Sequence, residues 1–120
     1  MSEQSFISTR FPYLPVRIGI RRREETLEAL IDTGFDGDLI IPAGLLRNGT
    51  PDSYLRWTLA DGSTVLAPSY LGRVEVANFG DAGTFPAVIS VLGDEPILGR
   101  SLSNHFSITL DHGRHVIVKP

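Results

Sequence analysis

Asp32-Thr33-Gly34 closes an apolar run, Ala29-Leu30-Ile31, and is followed by Phe35-Asp36-Gly37. A carboxylate at the end of a buried strand, with a Gly behind it to let the chain turn sharply, gathers backbone N–H groups onto its oxygens. A carboxyl held this way can take a proton from water or hand one on. Hydrolysis by that route uses two carboxyls, one ionised to activate water and one protonated to donate to the scissile carbonyl. The chain has a single Asp-Thr-Gly: Asp61 falls in a predicted hairpin tip, and Asp81, Asp94 and Asp111 fall in turns or strand ends without a following Thr/Ser-Gly. One copy therefore holds half a site. A homodimer with Asp32 facing its twin across a two-fold axis completes it. Taken alone, the tripeptide also fits an Asx-type turn ending a strand.

A second segment adds context. Pro96-Ile97-Leu98-Gly99-Arg100-Ser101-Leu102-Ser103-Asn104-His105-Phe106 reads as a buried strand, a Gly and a short helix opening with Arg and Ser. Together the two segments resemble the retropepsin-like aspartic peptidases, the single-domain family that includes retroviral proteases. In that family an apolar-apolar-Gly triplet passes under the catalytic loop, often with Arg after it, and Ile97-Leu98-Gly99-Arg100 matches position for position. Leu39-Ile40-Ile41-Pro42 after the loop and Phe106-Ser107-Ile108-Thr109-Leu110-Asp111 after the helix match as well, so the resemblance runs from Val16 to Val118. Phe35 directly after the triad points to the prokaryotic Asp-Thr-Gly-Phe branch; retroviral members carry Ala there.

The resemblance implies an all-β fold, a small closed β-barrel of the retropepsin-like acid protease type with one short C-terminal helix. It implies an aspartic endopeptidase with Asp32 as the catalytic carboxyl and Thr33 bracing the two loops across the dimer. Gly34, Phe35, Asp36, Gly99 and Arg100 support the loop, with Arg100 ion-paired to Asp36. Ala60-Asp61-Gly62-Ser63 becomes the flap over a peptide or protein substrate, bound extended like an added strand. Neither a metal nor an organic cofactor is implied. Phe35 also carries the alternative. It is far larger than Ala, and a crowded channel would leave a non-catalytic retropepsin-shaped dimer that binds peptides or a partner protein.

The elements that must position these residues are mostly strands. A chain of 120 residues, 42% hydrophobic, has material for one domain over residues 1–120 with one core. Val16–Ile20 alternates apolar with small or polar residues, and Thr26–Ile31 is its hairpin partner. Pro42–Leu46 reads as one helical turn, and Asn48–Asp52 as a turn. Leu55–Ala60 and Ser63–Ala67 flank Asp61-Gly62, a strong hairpin signal with Trp57 packing near its base. Leu71–Val76 and Thr84–Val91 are strands about an Asn78–Gly83 turn, and Ile108–Asp111 with His115–Val118 forms a terminal hairpin. Short strands with regularly spaced turns indicate a small barrel. The terminal hairpin is apolar and β-branched, which predicts a place in the dimer interface. Deletion after Asp111 is then expected to give monomers, and deletion of residues 1–10, a loose polar arm, to do less.

Net charge is −3, and the one cationic run, Arg21-Arg22-Arg23, leads straight into Glu24-Glu25, so a solvated turn is expected rather than a nucleic-acid surface. The chain has no Cys, which excludes disulfides, a thiolate nucleophile and a cysteine metal site. His112 and His115 sit in a tight hairpin and do not converge on a metal, and His105 reads as a partly exposed packing residue in the short helix. No Ser lies in a Gly-x-Ser-x-Gly turn. Residues 1–10 lack the apolar centre of a signal peptide and no apolar stretch reaches spanning length, so a cytoplasmic protein without a membrane partner is expected.

Overall fold

Leu14, Val16, Ile18 and Ile20 are each no more than 3% exposed, and this period of two draws the segment into a strand with one face in the core. In the computed structural model, which describes residues 5–46 and 49–120, that strand is β2 (Tyr13–Ile20). It follows β1 (Phe6–Ser8) and precedes β3 (Arg23–Ile31), β4 (Leu39–Ile41), β5 (Ser53–Thr58) and β6 (Thr64–Val76). After a 3-10 turn at Gly80–Gly83 come β7 (Thr84–Val91), β8 (Ile97–Leu98), the helix α1 (Arg100–Ser103), β9 (Ser107–Asp111) and β10 (His115–Lys119).

The sheet order β2-β3-β8-β4-β7-β6, with β6 pairing back onto β2, closes a six-stranded barrel. β8 is two residues long and lies between β3 and β4, parallel to the first (Ile31↔Leu98) and antiparallel to the second (Leu39↔Leu98). Leu39, Ile41 and Leu98 are fully buried there, which explains why these short strands are continuous apolar runs rather than alternating ones. β6 serves two structures. Its first half pairs with β5 to make a hairpin standing off the barrel, and its second half is barrel wall against β7 and β2. The two strands expected at Ser63–Ala67 and Leu71–Val76 are thus one.

The cationic run forms the β2–β3 turn, where Arg21 has φ of 54°. Its guanidinium pairs with Asp52 at 3.0 Å and donates to the Thr50 carbonyl at 2.9 Å. One local expectation changes: Pro42–Leu46 is a turn and bend, not a helical turn, in keeping with the cost of nucleating so short a helix. Asn48, the first residue of the predicted Asn48–Asp52 turn, lies outside the described residues, as do residues 1–4 of the predicted arm.

The rest of that arm is structured. Phe6–Ser8 pairs antiparallel with β10 (Phe6↔Val118), which pairs with β9 on its other edge. β10 is therefore the centre of a three-stranded sheet, and its Val116 and Val118 are fully buried in the core. Each buried Val contributes about 1.5–3 kcal/mol, a large share of the about 5–15 kcal/mol that holds a domain of this size. Deletion after Asp111 is now expected to unfold the protein rather than yield a folded monomer. Loss of a cooperative thermal transition in the truncated chain is the measurement; a sharp transition near that of the full chain would contradict it.

Candidate active site

The apolar end of β3 delivers Asp32 to the mouth of the barrel. Ile31 still pairs with β8, and the Asp32 N–H donates to the Leu98 carbonyl at 3.0 Å, so the ladder fixes the backbone up to the carboxylate. There the chain turns: the Phe35 N–H donates to the Asp32 carbonyl at 3.3 Å, and the Gly34 N–H donates to Asp32 Oδ1 at 2.9 Å. A Cβ on Gly34 would stand 3.2 Å from that same Oδ1, so Gly keeps the oxygen open. Asp32 is half-buried, with Thr33 and Gly34 exposed beside it.

From beneath, the start of α1 stitches the loop in place. Its first N–H groups lack partners within so short a helix, and they find loop carbonyls instead. Gly99 N–H donates to Asp38 at 2.8 Å, Arg100 N–H to Phe35 at 2.7 Å and Ser101 N–H to Gly37 at 3.2 Å. The Ser101 hydroxyl adds a bond to the Asp36 carbonyl at 2.7 Å. Gly99 permits this closeness: a Cβ there would lie 2.1 Å from the Gly37 oxygen and 2.6 Å from Phe35 Cδ2.

The expected ion pair between Asp36 and Arg100 does not form. Arg100 Nη1 donates to the Thr33 carbonyl at 3.3 Å, while the Asp36 side chain stays exposed and makes no ion pair among the described residues. The backbone bonds from α1 already hold the loop, and an exposed pair would add little. Arg100→Ala is accordingly expected to cost about 1 kcal/mol, the worth of one ordinary hydrogen bond, comparable with Arg21→Ala in the β2–β3 turn. Thermal melts of the two variants test this; a drop several times larger for Arg100→Ala would restore a buried-charge role for it.

Above the loop stands the β5–β6 hairpin. Its tip closes through Leu59 N–H to Ser63 O at 2.8 Å and Gly62 N–H to Leu59 O at 2.9 Å, with Gly62 at φ of 87°, a conformation that favours Gly. Asp61 accepts the Ser63 hydroxyl at 2.6 Å and the Ser63 N–H at 2.9 Å. These donors, the hydroxyl first, hold the Asp61 carboxyl below the usual carboxylate range. The ionised, tip-closing form therefore persists at neutral pH and is lost as pH falls through that lowered value.

Between hairpin and loop lies a cleft of about 870 Å³. It brings together Asp32, Gly34, Phe35, Asp36 and Arg100 on one side and Ala60 on the other. Asp61, Gly62 and Ser63 form the turn beyond its lining, Thr33 faces solvent, and Gly99 is buried under the floor. Phe35 does not project across the opening. Its ring folds back over Gly37 and Gly99 and meets Trp57 edge-on, with centroids 4.9 Å apart.

No family model matches this sequence, and no curated protein matches it. Solved structures do: 102 chains match the fold, among them the crystal structure of a retropepsin-like aspartic protease from Rickettsia conorii. That structure superposes with a TM-score of 0.62 over 99% of this chain and 94% of its own, at 17% sequence identity. The fold is retropepsin-like.

Several residues that hold this structure together carry weak sequence signals. Asp38 sends Oδ2 to the Val88 N–H at 2.8 Å, tying the loop to β7; its place just before an apolar strand was the available clue. Tyr13 donates its hydroxyl to Glu95, in the β7–β8 loop that lines the cleft, and Arg10 lies over the Tyr13 ring at 4.1 Å. The bond to Glu95 raises the Tyr13 hydroxyl above the ordinary tyrosine range. A pair so far apart in the chain leaves no local trace. Ser90, inside the apolar strand Ala87-Val88-Ile89-Ser90-Val91, is a polar residue at a fully buried position, and such a residue implies a hidden partner. His105, expected as a partly exposed packing residue in the helix, lies just beyond α1, where it is exposed and stacks on Phe85 with centroids 4.0 Å apart.

Proposed function

We propose that this protein is an aspartic endopeptidase that works as a homodimer, with Asp32 of each subunit forming one carboxyl of the pair. The observation that carries the reading is the Asp32 carboxylate itself, oriented by the Gly34 N–H on the floor of a cleft that a β-hairpin overhangs. The retropepsin-like fold and the protease identity of the matching Rickettsia structure support it, although fold alone does not carry chemistry. A two-fold axis beside Asp32 completes the catalytic pair. One carboxylate takes a proton from a water lying between the pair as the water oxygen bonds to the substrate carbonyl carbon, and the protonated partner donates to the carbonyl oxygen. The proton taken from water then passes to the amide nitrogen as the C–N bond breaks, and the amine leaves without a covalent intermediate. Substrate lies extended under the hairpin, adding main-chain hydrogen bonds.

Phe35 assigns the chain, on this reading, to the prokaryotic Asp-Thr-Gly-Phe branch. A cytoplasmic location belongs to the same proposal; in the structure, no helix among the described residues is long and apolar enough to cross a membrane. The test is cleavage of an unbiased peptide library across pH, with sedimentation of the same sample and titration by a statine-type inhibitor. Cleavage with a dimer and inhibitor binding is the expected result. Peptide binding by a dimer without cleavage at any pH would replace this reading with the non-catalytic one.

A further inference from the structure

The hairpin is tied to the barrel by a buried relay of hydrogen bonds. Trp57 Nε1 donates to Ser90 Oγ at 3.1 Å, Ser90 Oγ lies 2.8 Å from Ser69 Oγ, and Ser69 Oγ donates to the Ala67 carbonyl at 3.0 Å. The relay has one direction. An indole N–H only donates, and the single Ser69 hydroxyl proton goes to Ala67, so Ser90 donates to Ser69 and accepts from Trp57. Ser69 and Ser90 are 1% and 0% exposed, positions where a hydroxyl without a partner is costly. Both are satisfied, and the satisfied pair presents one fixed acceptor to the indole.

The other side of Trp57 meets Phe35 at 4.9 Å with the rings at 68°, and Gly37 has no Cβ because one would lie 2.6 Å from Trp57 Cη2. The indole therefore touches β7 of the barrel and the Asp32 loop at once. Beyond it, the hairpin consists of one cross-strand pair, Thr58↔Thr64, and the exposed turn residues Leu59–Ser63.

We propose that Trp57 is a positioning residue that pins the hairpin to the barrel just below its tip, so that the segment 58–64 alone moves when substrate is covered. The pin sets the height of the hairpin over Asp32 before any substrate arrives. The kinetic consequence rests on the peptidase reading; the mechanical one does not.

Ser90→Ala isolates the pin. It removes the acceptor of the indole, while the Ser69 hydroxyl keeps its Ala67 carbonyl, so no other buried donor is stranded. In the full-length variant, amide exchange in β5 is expected to rise about three- to tenfold, the effect of one lost hydrogen bond, with β2 and β3 unchanged. Trp57 is the sole tryptophan, so quenching of its emission by acrylamide reads the same loosening directly. Trp57→Phe, which keeps a ring against Phe35 without an N–H, is expected to reproduce the exchange result, and Ser90→Thr to restore the wild-type pattern. On a cleaved peptide, Ser90→Ala is expected to raise KM by the same factor with kcat within about twofold, because uniform binding is lost and the Asp32 loop is intact. Unchanged exchange in β5, or equal acceleration in β2 and β3, would overturn the pin. If the wild type cleaves nothing, the peptidase reading fails and the exchange data still decide the proposal.

Discussion

Asp32→Asn is expected to reduce peptide cleavage by about 10³-fold or more while leaving the protein folded, since proton transfer by a positioned carboxyl is worth about 10²–10⁴ in rate. Asn is nearly isosteric, and its Oδ1 can still accept the Gly34 N–H that Asp32 holds at 2.9 Å. It can neither ionise nor share a proton. The proposed dimer gives the result a second dimension. When wild type and variant exchange subunits freely at equal concentration, mixed dimers carry one competent carboxyl, so activity falls to about one quarter rather than one half. The measurement is kcat/KM for each protein and for the mixture, with a thermal melt as the folding control. Turnover near wild type in Asp32→Asn would remove the mechanism, and a linear mixing curve would remove the shared pair while sparing the role of Asp32.

Gly99→Ala is expected to be the most damaging single methyl in the chain. The added carbon would sit 2.1 Å from the Gly37 carbonyl oxygen and 2.8 Å from its carbon, and both belong to backbone that cannot swing aside as a side chain would. Overpacking of this kind costs about 1–3 kcal/mol when side chains can yield, and here the three backbone bonds from α1 to the loop are strained as well. A fall in Tm of roughly 10 °C or more, together with loss of cleavage, is the expected outcome for a domain of this size. Gly44→Ala is the matched control: nothing lies within 4 Å of its Cβ and its φ is not positive, so its melting temperature should hold or rise slightly. Equal melting temperatures for the two variants would mean that the loop floor is pliable.

The barrel was legible in the sequence because its signals are local. Alternation marked β2, the Asp61-Gly62 turn marked the hairpin, and an unbroken apolar run marked β8. The residues around Asp32 were legible for a similar reason: a strand end, a Gly and a second Gly under it are spelled out in short segments. What the sequence did not disclose is pairing between distant segments. Arg100 announced a cation near a carboxylate, yet only the path of the backbone shows that it reaches the Thr33 carbonyl and leaves Asp36 alone. Phe6–Ser8 reads as polar arm because one buried Ser and two apolar residues are too few for a period; its strand exists because β10 offers an edge. Thr64–Val76 read as two strands, Ser63–Ala67 and Leu71–Val76, yet it runs unbroken because its middle pairs across to β7, where Ser69 meets Ser90.

The position of β8 also bears on how the chain reaches this state. β3 and β4 follow each other closely in sequence, but they do not pair; the two residues Ile97 and Leu98, made much later, fill the gap between them. Until those residues arrive, both strands present bare edges of the kind that recruit other chains. A ribosome-bound fragment ending before Pro96 would therefore hold most of the barrel's strands and still lack the element that joins them. Non-local closure of this sort slows folding and prolongs exposure of sticky intermediates. Synthesis of this protein thus carries a vulnerable interval in which that dipeptide joins the wall and β10, later still, completes the core.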